Sequence, residues 1–370
     1  MKKILLASSL TLIFSVMLFL LYDPKVEAEM ALSAPTGATT DTLPTAFTHN
    51  DTLFFVWRGL TNANLYYAYL QGGAWSAIQQ VTDINGAVLN SGYGVEAVTF
   101  RENSGKDTVC LFFKASNGNE NEGAIDYSCS FLEQDELGKP VLEWQSPNRF
   151  TPQSIPNNMN LNKVDSVPSI RVFTDGKLHM VAGVYKNSDY HLLEFTCDLN
   201  AIDANFSLNN ACTFASEELD KARGASVAQI KNNYLNHALF FFRQDSELFY
   251  VSTEQGKSYT GSKTKLKDTS YKIYKTSKRT SAAAAFHSNV YLAFADNDRA
   301  INIAKVAEND TTGWVITKNH GDGIALGKWT VCSMTDKKGS KSDPSLFVYQ
   351  NGLYVLYSDG NSNLVYQPVC

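Results

Sequence analysis

The chain has 370 residues, 44% hydrophobic and 12% aromatic, with 32 basic against 37 acidic side chains and a formal charge of −5. The apolar content is ample for a large core, and the length suggests two domains unless one β architecture absorbs it. The acidic balance excludes a general nucleic-acid binder.

Near its start stand Lys2 and Lys3, followed by a predominantly apolar stretch of 19 residues from Ile4 to Tyr22. Val26 and Ala28 place small residues around a cleavage point, so residues 1–28 read as a signal peptide. A stretch of that length also spans a bilayer, and an uncleaved N-terminal anchor is the alternative. Both readings put the remainder outside the cytoplasm, with a membrane as partner only through this segment. Residues 29–42 form an N-terminal extension.

From residue 43 the sequence repeats. "PTAFTHNDTLFFVW", "VEAVTFRENSGKDTVCLFF", "PSIRVFTDGKLHMVAGVY", "ASVAQIKNNYLNHALFFF", "SAAAAFHSNVYLAF" and "PSLFVYQNGLYVLY" share one phrase. Marked at Ala46, Ala97, Ile170, Val227, Ala283 and Leu346, the intervals are 51, 73, 57, 56 and 63 residues. Each unit reads as a short strand, an Asn, Asp or Gly turn and an aromatic, β-branched second strand. A third strand such as "NLYYAYL" follows, and some units show a fourth. Only "SEELDKARGA" has a helix-like composition. Short strands repeated six times without helices predict an all-β, six-bladed propeller over residues 43–370. A pair of β-sandwiches is the competing architecture. The Ala- and Ser-rich first strands suit crowding around an axis. The last unit ends at its third strand, so either residues 30–42 or 323–334 must close the ring.

Six cysteines follow the leader. Cys110 and Cys129 flank one turn-like segment and Cys197 and Cys212 another, so each pair is expected to bridge a hairpin; Cys332 and Cys370 pair by exclusion. Six free thiols would be the alternative. No CxxC or His-rich tract offers a metal site, and GxSxG, HExxH, P-loop and EF-hand patterns are missing, so no cofactor is expected.

"STEQGKSY", Ser252 to Tyr259, resembles the Asp-box of sialidases and related propellers, with Glu254 and Tyr259 in place of Asp and Trp. In that family the box is a folding element. The first and last units, "PTAFTHNDTLFFVWRG" and "DPSLFVYQNGLYVLYSDGNSNLVYQ", are similar to secreted bacterial propeller lectins that bind fucose or galactose. The lectin resemblance implies carbohydrate binding. The sialidase resemblance implies a glycosidase with three arginines, a Tyr–Glu pair and an acid.

Candidate residues follow from position in the repeat. Arg223 and Arg279 precede two first strands equivalently and are expected at the mouth of the ring, where paired guanidiniums grip an anion. Asp165 and Asp343 approach the same rim and are the candidate acids, should the protein be an enzyme. Trp57 with Arg58, and Tyr357 with Asp359, close second strands and are the candidate exposed sugar platforms. About three of the five tryptophans are expected to be structural. Lys257 to Arg279 carries seven Lys and one Arg against Asp268 alone, and reads as a solvated loop or an anion-attracting patch. His49 and His287 fall at first turns and are expected on the surface. Asn50, Asn205 and Asn309 stand in sequons. The sequence thus points to an exported glycan-binding propeller, with a divergent sialidase-like hydrolase or a protein-interaction scaffold as alternatives.

Overall fold

Two-residue turns with both residues at positive φ set the hairpins: Asn50 and Asp51 in the first unit, Asp245 and Ser246 in the fourth, Gln350 and Asn351 in the sixth. Such mirror-image turns match the twist of the strands they join. A second device is an aspartate whose carboxylate accepts two backbone N–H groups across a turn. Asp83, Asp135, Asp296 and Asp359 each do so, from the residues two and four positions on.

The computed structural model describes residues 33–115, 123–152, 160–186, 189–202, 205–220, 222–231, 236–254, 264–266, 281–287, 289–307, 314–316, 324–326, 330–335 and 339–369. Among them the strands assemble into six antiparallel sheets of three to five strands, with two further two-stranded ribbons. The only α-helix among the described residues is Leu208–Ala211. The helix-like "SEELDKARGA" is strand on both sides, within Cys212–Asp220 and Arg223–Lys231, because pairing with Asp189–Asp198 and Asn236–Gln244 overrides composition.

The innermost strands are Thr45–His49, Val95–Arg101, Ser169–Val172, Arg223–Lys231, Ala282–Phe286 and Ser345–Tyr349. Each touches the next, and the last touches the first, so they ring an axis. Their six marker residues, Ala46 to Leu346, all line one axial cavity. The architecture is a β-propeller, and separate sandwiches are excluded by the closed ring of inner strands.

Adjacent sheets pack face to face through buried Val, Leu, Ile and Phe, each worth about 1.5–3 kcal/mol when fully buried. Hydroxyls at the heads of the inner strands stitch neighbouring sheets near the axis. Thr45 Oγ1 accepts from Ala97 N at 3.1 Å, Ser169 Oγ from Val227 N at 3.2 Å, and the Ser226 and Ser281 hydroxyls meet at 3.2 Å. The small hydroxylated heads visible in the sequence thus satisfy backbone groups where larger side chains would not fit.

The repeated phrase of the first and last units meets in space. Phe55 packs edge-on against Phe347 at 5.6 Å and Tyr366 at 5.0 Å. Closure comes from the N-terminal segment: Thr39 bridges Asn363, Thr40 N donates to Ser362 O and Leu364 N to Ala38 O, both at 2.9 Å. The 323–334 alternative is overturned, because Thr330–Ser333 pairs with Ile301–Ala307 in the fifth sheet. Removing residues through Thr42 is therefore expected to lower Tm by several degrees and to speed amide exchange at Leu364, measured by calorimetry and hydrogen exchange.

Cys110–Cys129 and Cys197–Cys212 are bonded, each pair directly opposite on neighbouring strands. Cys370, and with it the expected Cys332–Cys370 bridge, lies outside the described residues, as do the leader, Asn309, Gln255 to Tyr259 of the Asp-box-like stretch, and Arg279.

Candidate functional site

The inner strands enter the ring from one face, and their leading loops form a mouth there. The loop Ser91–Gly94 presents Tyr93. Ser91 Oγ donates to Gly94 O at 2.7 Å and accepts from Tyr93 N at 3.1 Å, folding the loop on itself. Gly94 sits at φ +62°, and a Cβ there would stand 2.7 Å from Leu43 O, so only glycine fits. The Tyr93 hydroxyl donates to Asp343 Oδ2, and Asp343 is fully buried.

Asp165 leads into the third inner strand, and its Oδ2 accepts from Gly224 N at 2.9 Å. Gly224 adopts φ +57°, which a side chain would strain. Beside it the Arg223 guanidinium lies 4.4 Å over the Tyr190 ring. Arg243 closes the second strand of the same sheet, in register opposite Arg223. It is 8% exposed, and its Nε has no hydrogen-bond partner among the described residues. Lys114, buried at the equivalent strand end of the second sheet, completes the cluster.

Burial dominates the electrostatics. It raises Asp165 above the usual carboxylate range, while Arg223, Arg243, the Gly224 N–H and Lys114 pull the other way. It also weakens the hold of Arg243 on its proton, opposed by Asp165 and Asp343. Among the described residues, Lys114, Arg223 and Arg243 thus gather around Asp165, and Asp343 and Tyr93 also act on Arg243. Deeper along the axis, Arg171 donates to Glu96 Oε1 at 2.5 Å and to Ile170 O at 2.6 Å. Glu96 is buried, which raises it against the lowering effect of Arg171.

The structure unites three of the residues expected at the mouth, Asp165, Arg223 and Asp343. The expected sugar platforms are not exposed. Trp57 is 2% exposed, buried beside Tyr66 with ring centroids 6.3 Å apart. Arg58 is occupied, donating to Ser91 O at 2.9 Å and Asp41 Oδ1 at 3.3 Å. Tyr357, 6% exposed, packs between the fifth and sixth sheets. Asp359 spends both oxygens on its own turn, accepting from Asn361 N, Asn363 N and Asn363 Nδ2. Alternation explains the burial: the two sides of a blade strand both face neighbouring sheets, so an aromatic at its end is packed. Trp75 and Trp144 pack as well, Trp75 against Phe55 at 4.7 Å and Trp144 at 1% exposure. Lys265, from the basic stretch, pairs with Glu247 at 2.7 Å.

Tyr93, Arg243 and Lys114 were not singled out from sequence, yet signals existed. Tyr93 stands four residues before marker Ala97, as Arg223 and Arg279 stand before Val227 and Ala283. Second strands end in an aromatic and a cation four times: Trp57-Arg58, Phe113-Lys114, Tyr185-Lys186 and Phe242-Arg243.

No protein-family model matches this sequence, and no curated protein is similar to it. Solved structures do align. A sialidase from Trypanosoma rangeli superposes with a TM-score of 0.54 at 10% identity, over 90% of this chain and 54% of that one. A variant of the NanB sialidase from Streptococcus pneumoniae gives 0.51 at 10% identity, over 90% of this chain and 68% of that one. The fold shared with these enzymes is a β-propeller. A lectin from Burkholderia pseudomallei also aligns, with a TM-score of 0.44 at 11% identity, over 90% of this chain and all of that one. This chain spans about half the length of the Trypanosoma enzyme, 54%. At such identities the likeness is one of architecture.

Proposed function

We propose that this propeller is an exported carbohydrate-binding protein whose mouth takes an acidic glycan. The observation that carries the reading is Arg243: buried, with an Nε–H lacking a partner among the described residues, in register opposite a second guanidinium, Arg223. A ligand carboxylate placed there would supply the missing acceptor in a charge-assisted hydrogen bond, about twice as strong as the one a neutral sugar hydroxyl would make. The Arg223 guanidinium, stacked on Tyr190, is held at the rim to contribute the second donor group. Two disulfides suit a protein that works outside the cytoplasm. Titration with 3′-sialyllactose is expected to give saturable binding that weakens with salt, and lactose at the same concentration none. Silence across acidic and neutral glycans on an array would overturn the reading.

A sialidase-like hydrolase is the second reading, favoured by the Tyr93 hydroxyl bonded to Asp343. In that chemistry Asp343 takes the phenolic proton as Tyr93 attacks, and Asp165, whose hold on its proton is strengthened by burial, donates a proton to the leaving oxygen. The carboxylate partner is Asp rather than the Glu of the sialidase pattern. A fluorogenic sialoside decides it: turnover lost in Tyr93→Phe with 3′-sialyllactose binding retained supports catalysis. No turnover from acidic to neutral pH removes it.

A further inference from the structure

The axial cavity has a volume of about 450 Å³ and lies beyond the mouth, on the far side of the Arg171–Glu96 pair. Its walls are the lower halves of the six inner strands, and among its lining Thr48, Ala285 and Val348 are exposed, at the opposite face of the ring. Each inner strand pairs with only one neighbour in its sheet, so its other edge turns N–H and C=O groups toward the axis.

Three features define what fits. First, hydrogen-bonding capacity is unspent: the Thr48 and Thr99 hydroxyls and the Arg171 Nε–H make no hydrogen bond among the described residues, and Arg171 Nη2 reaches Ala283 O only at 3.5 Å. Second, the closed end is electrically balanced among the described residues, where its full charges, Arg171 and Glu96, are bonded to each other at 2.5 Å. A second ion would need a counter-charge that the described lining does not hold. Third, apolar surface alternates with these polar groups. Val172, 38% exposed, and Val348, 42% exposed, belong to the third and sixth sheets, on opposite sides of the ring. A volume of this size lies within the usual range of small-molecule pockets.

We infer that the axial cavity is a second binding site, separate from the mouth and entered from the opposite face, for an uncharged polyol of monosaccharide size. Its hydroxyls would engage Thr48, Thr99, Arg171 and the free strand edges, and its C–H faces the valines and alanines. The site stands whether or not the mouth binds an acidic glycan.

Calorimetric or NMR titration of the full propeller with D-galactose tests this, with D-gluconate as the charged counterpart. Galactose is expected to bind saturably at millimolar concentration and gluconate at least about tenfold more weakly. Ala285→Trp, an added ring at an exposed rim position, is expected to abolish galactose binding. Thr48→Val with Thr99→Val keeps the shape of the walls and is expected to weaken it by about tenfold through lost hydrogen bonds. Saturating 3′-sialyllactose should leave galactose binding unchanged, which separates this site from the mouth. Absence of galactose binding, equal binding of gluconate, or full binding by a folded Ala285→Trp protein would each overturn the proposal.

Discussion

Arg243→Met is expected to abolish measurable 3′-sialyllactose binding and to destabilise the protein by about 3–5 kcal/mol at neutral pH, the usual consequence of removing one partner from a buried charge cluster. Asp165 and Asp343 lose a counter-charge that now opposes their desolvation. The pH dependence distinguishes this cause from lost packing. Burial already holds the folded pKa of Asp165 above its unfolded value, so the stability linked to this group is present in acid and is lost as pH rises through the folded pKa. Without Arg243 that pKa rises further. The deficit of the variant should therefore be small near pH 4 and grow toward about pH 7.5, where the carboxylate must ionise without its neighbour. Urea unfolding at both pH values measures it. A deficit independent of pH would assign Arg243 a packing role only.

Replacing all four bonded cysteines with serine is expected to cost on the order of 6 kcal/mol, about 3 for each bridge by loop-closure entropy, and the bridges close segments of 19 and 15 residues. That is a large share of the 5–15 kcal/mol typical of a folded domain. One bridge ties the second strand to the third in the second sheet and the other the third strand to the fourth in the third sheet, and the core these two sheets share is the most extensive among those described. The loss should appear first there, as faster amide exchange in Asp107–Lys114 and Asp189–Asp198. Unfolding curves unchanged by a reductant that demonstrably frees the thiols would remove the bridges from the account of stability.

The Asp165, Arg223 and Asp343 cluster was legible because the repeat fixes where each inner strand begins. Residues a constant distance before that point share a rim whatever their separation in the chain. Tyr93 obeys the same arithmetic and was hidden only by being chemically unlike the arginines at its equivalent positions. Trp57 and Tyr357 were misread for the opposite reason. Their place at a strand end suggested exposure, but exposure depends on what the next sheet brings against that end, and for Trp57 it is covered by Tyr66.

The sequence by itself determined the β class, the repeat, the strand order within each unit and two of the bridges, because these depend on alternation, turn chemistry and neighbours close in the chain. Only the tertiary structure decided which end closes the ring, which aromatics are covered, and that Tyr93 and Asp343, 250 positions apart, share a proton-bearing contact. Those outcomes depend on distances across an axis, and no local propensity encodes how far around the ring two loops will lie.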